Sequence, residues 1–179
     1  IDCGSMRSTG IMGIPYNALK RYLGKNEETT KIYDMVQQLA VPEQWYLDMF
    51  QIDSVDLARA FADEPDEPDE WLAWNLPDGS PALRPKWVDI QMEGDTWICR
   101  NPEGVSLGKM SPGLVYFTQT NYPLMQNDSL DISRVPEYVG KTIWGAVTDP
   151  AWQHAGKEDF GARLREKSLK LRRETDYAQ

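Results

Sequence analysis

Between Lys86 and Met110 the chain alternates and turns at a rhythm that suits short antiparallel strands. Trp87, Asp89, Gln91 and Glu93 interleave with Val88, Ile90 and Met92, so every second side chain faces the same way, which is the period of a strand. Gly94-Asp95 interrupts the run, and Thr96 to Arg100 resumes it. Asn101-Pro102-Glu103-Gly104 interrupts again, and Val105 to Met110 follows. Gly, Asp, Asn and Pro at those points supply the backbone angles that tight turns need. Residues 86–110 are predicted to form an antiparallel β-meander.

Elsewhere the pattern reads as alternating strand and helix. Ile1 to Met6 has the look of a strand end running into the polar, glycine-bearing loop Arg7–Gly13. Pro15 then opens a helix with Tyr16, Leu19 and Leu23 on one face, and Gly24 stops it. A second helix is predicted over Lys31–Leu39, where Ile32, Met35, Val36 and Leu39 share a face. A third is predicted over Pro42–Phe50, with Trp45, Tyr46 and Met49 on one side. Partial alternation over Ile52–Phe61 predicts a strand. Within residues 155–179 an outer helix is expected from about Glu158 to Glu174. Phe160, Leu164 and Leu171 form its stripe, with acids at its start and bases at its end that complement the helix dipole. Such alternation predicts an α/β fold in which the meander is an insertion.

The chain's 179 residues suit a single domain, 1–179, and 41% hydrophobic residues are enough to build its core. No apolar run is long enough to span a membrane. With 28 acidic residues against 19 basic, the net charge of −9 has the wrong sign for a nucleic-acid binder. Two cysteines are too few for a disulfide scaffold, and nothing resembles a secretory signal, so a reduced, cytoplasmic compartment is expected. Residues 63–70 hold six carboxylates and two prolines, which reads as an extended solvated loop rather than a metal site. A chain that opens at Ile1 and closes on Arg172–Gln179 in mid-helix reads as part of a longer protein.

Familiar catalytic signatures are absent: no phosphate-binding glycine loop, dinucleotide fingerprint, metalloprotease pair or nucleophile elbow occurs. His154 is the sole histidine, and Cys3 and Cys99 lie 96 positions apart, so none of them has the close spacing of zinc ligands. No metal is expected to bind within this chain. The first loop is the strongest candidate. It delivers Asp2, Arg7, Ser8 and Thr9 together, as α/β barrels deliver polar groups to their catalytic face. Arg7 would supply a fixed fork for a carboxylate or phosphate, and Asp2 an acceptor for a substrate hydroxyl or amine. The other reading is a capping and turn network with Arg7 paired to Asp2, and both stay open. Trp71, Trp74, Trp87, Trp97, Trp144 and Trp152 suit either the walls of a site for a flat apolar substrate or the insertion's own core.

Asp2-Cys3-Gly4-Ser5-Met6-Arg7-Ser8-Thr9-Gly10-Ile11, then Tyr16 to Leu23, Asp34 to Pro42, and Phe50-Gln51-Ile52-Asp53-Ser54-Val55 follow one another in an order that resembles the N-terminal half of the uroporphyrinogen decarboxylase superfamily. Gly104 to Leu124, with Tyr122-Pro123-Leu124 at its end, is similar as well. The resemblance implies the first part of a TIM-type (β/α)8 barrel, since a whole barrel takes about 250 residues. The decarboxylases carry a second arginine where Ile11 stands, and a strand-end aspartate where this chain has Arg59-Ala60-Phe61. Those departures weigh against porphyrinogen decarboxylation, and the resemblance is nearest to the corrinoid-dependent methyltransferase branch. That branch moves a methyl group from a small methoxylated or methylamine-type donor to a separate corrinoid protein. Its zinc is held by a His-x-Cys pair and a later Cys in the second half of the barrel, outside this chain. Arg7 matches the decarboxylase loop and, with Asp2 and Thr9 on the strand and loop beside it, is predicted to line the substrate mouth; a homodimer stays open. Tetrapyrrole decarboxylation and a non-catalytic member of the fold are the alternatives.

Overall fold

A computed structural model of the chain describes residues 1–4, 7–57, 71–125, 131–144 and 158–176. After a 3-10 turn at Arg7–Thr9, helix α1 runs over Gly13–Leu23. Strands β1 (Ile32–Asp34) and β2 (Leu39–Ala40) form a hairpin, and the short helix α2 spans Gln44–Met49. A second hairpin joins β3 (Trp71–Asn75) to β4 (Pro81–Pro85). Strands β5 (Asp89–Glu93), β6 (Thr96–Arg100), β7 (Ser106–Met110) and β8 (Thr118–Gln119) follow in spatial order as one sheet. Helix α3 covers Val135–Gly140 and α4 Glu158–Glu174.

This architecture corrects the expected (β/α)8 portion. Every pair of named strands is antiparallel, and among the described residues parallel pairing is confined to the isolated bridge between Lys31 and Leu83. Parallel neighbours need crossover connections of about a dozen residues or more. Here β5 passes to β6 through Gly94-Asp95, and β3 to β4 through Leu76–Ser80. Residues 86–110 are therefore no insertion; their strands are most of the largest sheet, in the registers Ile90 opposite Cys99 and Cys99 opposite Gly108. Residues 1–4, the described part of the expected strand Ile1–Met6, form no strand.

Two further elements differ from expectation. Lys31–Leu39 is not a helix but the β1–β2 hairpin, whose turn closes through Gln38 at φ 56°. Residues 52–57 belong to no named strand; 58–61, like the acidic stretch 63–70, lie outside the described residues.

Helix α1 begins with Pro15 in its first turn, where a missing N–H costs nothing, and ends at Gly24 with φ 69°, a left-handed cap suited to glycine. It buries Gly13, Tyr16, Asn17 and Lys20, so its inner face is more polar than the Tyr16–Leu19–Leu23 stripe implied. Satisfied hydrogen bonds make this tolerable. Asn17 Nδ2 donates to Ser80 Oγ and the Pro81 carbonyl, both at 3.0 Å, and Asn17 Oδ1 accepts from Thr30 at 2.5 Å.

One apolar core runs from Tyr16 through Ile32, Met35, Trp74, Leu76 and Ile90 to Leu107, Phe117 and Ile143. Backbone bonds stitch its parts together: Gly13 N–H to Gln38 O at 2.7 Å, Leu83 N–H to Thr30 O at 2.8 Å and Phe117 N–H to Val36 O at 2.8 Å. Prolines at both ends of β4 cannot donate to a ladder, which fits a strand paired along its length with β3 and bridged on its other edge only at Leu83.

Candidate functional site

The first loop reverses at Gly4, whose φ of 91° is open to glycine and strained for other residues. The reversal brings Thr9 back over the chain start. Thr9 Oγ1 donates to Asp2 Oδ2 at 3.2 Å and accepts from the Gly4 amide, also at 3.2 Å. Asp2 is exposed and Thr9 half-buried. Two of the three expected binding residues therefore meet. The backbone of Arg7 lies in the 3-10 turn between them, and its side chain lies outside the described residues.

Aromatic residues at the start of α2 anchor this loop. Cys3 Sγ sits 2.9 Å from the Tyr46 hydroxyl, and the Asp53 amide donates to the Ile1 carbonyl at 3.1 Å. Tyr46 packs against Tyr16, Trp45 and Phe50, with ring centroids 4.7–5.6 Å apart. Burial, reinforced by the Cys3 thiol, pushes the Tyr46 phenol well above its ordinary range, and burial does the same to Tyr16. Both phenols stay protonated at neutral pH and act as hydrogen-bonding anchors rather than proton-transfer groups.

Behind the loop lies a polar cluster that the periodicity of α1 does not announce. Lys20 pairs with Glu43 and donates to the Glu28 carbonyl at 2.8 Å. Trp45 Nε1 donates to Glu43 Oε2 at 2.6 Å, and the Glu43 amide donates to the Tyr16 hydroxyl at 2.9 Å. A lysine at a helix position facing the core, with Glu43 just ahead of α2, is the available sequence signal. The arrangement fastens α1 to α2 and aims no reactive group at solvent.

The described residues do not fit zinc. No three His, Cys, Asp or Glu side chains among them converge as a metal site would require. Cys99 lies in β6 at 1% exposure, and burial pushes its thiol up to about 12. His154 lies outside the described residues.

The tryptophans divide. Trp74 is buried, donates to Gln38 Oε1 at 2.9 Å and meets the Trp97 ring at 4.7 Å, so this pair joins the β3–β4 hairpin to the large sheet. Trp71 lies under the Lys31 ammonium, 5.2 Å from ring centroid to Nζ. Trp144 is exposed, and Trp152 lies outside the described residues. Trp74 lies in the core and Trp97 packs, partly buried, against it. No helix among the described residues is long and apolar enough to cross a membrane. Compared with known proteins, the chain matches no family profile, no curated protein and no solved structure.

Proposed function

We propose that this chain takes part in corrinoid-dependent methyl transfer, in a cytoplasmic protein that demethylates a small methoxylated or methylamine-type substrate and passes the methyl group to a corrinoid protein. The barrel is no part of the proposal. Its support is the order of motifs from Asp2 to Val55, and one observation carries it to a site: the Thr9 hydroxyl bonded to the Asp2 carboxylate on an exposed loop. A carboxylate steadied by a neighbouring hydroxyl is preorganised to accept a hydrogen bond from a substrate amine or hydroxyl. Arg7, in the same turn, would bring a charged planar fork to that substrate. These residues bind and orient; the described residues offer no group for the transfer step itself, and zinc, with its ligands elsewhere, would supply the Lewis acid.

Methyl transfer itself is the test. Full-length protein is mixed with a corrinoid protein reduced to Co(I) and a panel of methoxyarenes and methylamines, and loss of Co(I) absorbance is followed. Asp2→Asn and Thr9→Val should each slow transfer about tenfold while circular dichroism stays unchanged, as expected for a lost charged hydrogen bond. No transfer from any donor, or decarboxylation of uroporphyrinogen instead, overturns the reading.

A further inference from the structure

We draw no further inference here: the strongest candidate, the exposed apolar surface that Tyr122, Leu124 and Met125 form with Ile132, Val139 and Trp144 around α3, carries nothing because nothing in the structure shows what covers it.

Discussion

Lys20 and Glu43 form an ion pair in which only 4% of the lysine side chain and 18% of the glutamate reach solvent. Breaking such a pair strands a buried charge, which costs more than the pair contributes when intact. Glu43→Ala is therefore expected to destabilise the protein by roughly 3–5 kcal/mol. Lys20→Met should cost less, because it keeps the apolar stem and removes the buried ammonium. Urea unfolding of both variants checks this. A loss below about 1 kcal/mol for Glu43→Ala, the range of surface pairs, would mean that water reaches Lys20.

Glu137 provides the exposed counterpart. It accepts two hydrogen bonds from Arg134, at 2.9 and 3.0 Å, and pairs with Lys141. Arg134 first, then Lys141, hold its carboxyl down at about 2, against an ordinary 4.5. The native value lies below the unfolded one, so this contribution is complete above the ordinary carboxylate range and fades as pH falls from about 4.5 to about 2. Carbon-detected NMR titration of the Glu137 carboxyl should give a midpoint near the lower figure. A midpoint near the upper one would show that the pairs are open in solution.

Gly108 in β7 leaves no room for a methyl group. A Cβ there would collide with Ile143 Cδ1 and lie 2.9 Å from Ile143 Cγ1 and 3.1 Å from the Thr118 carbonyl oxygen. Gly108→Ala should cost about 1–3 kcal/mol through overpacking. Combined with Ile143→Val it should cost less than the sum of the two single changes, because the second change opens space for the first. Thermal unfolding of the three variants decides; strict additivity would place the strain elsewhere.

The two cysteines should react unequally. Cys99 is almost wholly buried with its thiol pushed up to about 12, whereas Cys3 is half-buried beside Tyr46. At pH 8 a thiol reagent such as dithionitrobenzoate should therefore modify Cys3 first, and Cys99 only on unfolding, since the thiolate is the nucleophile. Equal native rates for both sites would mean that β6 opens locally.

The legible parts of this fold are those where turn chemistry and periodicity agree. Gly94-Asp95 and Asn101–Gly104 separate alternating runs that become β5, β6 and β7. Pro15 and Gly24 bracket α1, and the graded charges of Glu158–Glu174 coincide with α4. The β1–β2 hairpin is harder to see, because Ile32, Met35, Val36 and Leu39 satisfy helical spacing and are also the buried apolar residues of a tight hairpin, Ile32 and Leu39 in its arms and Met35 and Val36 in its turn. The β-branched Thr29, Thr30 and Ile32 and the aromatic Tyr33 are the contrary signal. Pro77-Asp78-Gly79 between Trp71–Asn75 and Pro81–Pro85 is a turn signature that marks the second hairpin. The barrel rested on resemblance, and local pattern cannot tell a strand awaiting a parallel neighbour from one that folds back. At the first loop, residue types predicted a polar cluster and the structure pairs Asp2 with Thr9. Nothing local announced the Cys3–Tyr46 contact, because its partners lie 43 positions apart.

The bridge between Lys31 and Leu83 has a consequence for the order of assembly. Its partners are 52 positions apart (83 minus 31), so joining the two hairpins requires closing a long loop, a cost that grows with the logarithm of its length. Strands β5 to β7 meet through short turns and carry no such cost. The meander is therefore expected to mature first, with the two hairpins docking later through Thr30, Lys31 and Leu83. Pulse-labelled amide exchange during refolding would show Ile98 and Cys99 protected ahead of Leu83; simultaneous protection would make the whole core a single cooperative step.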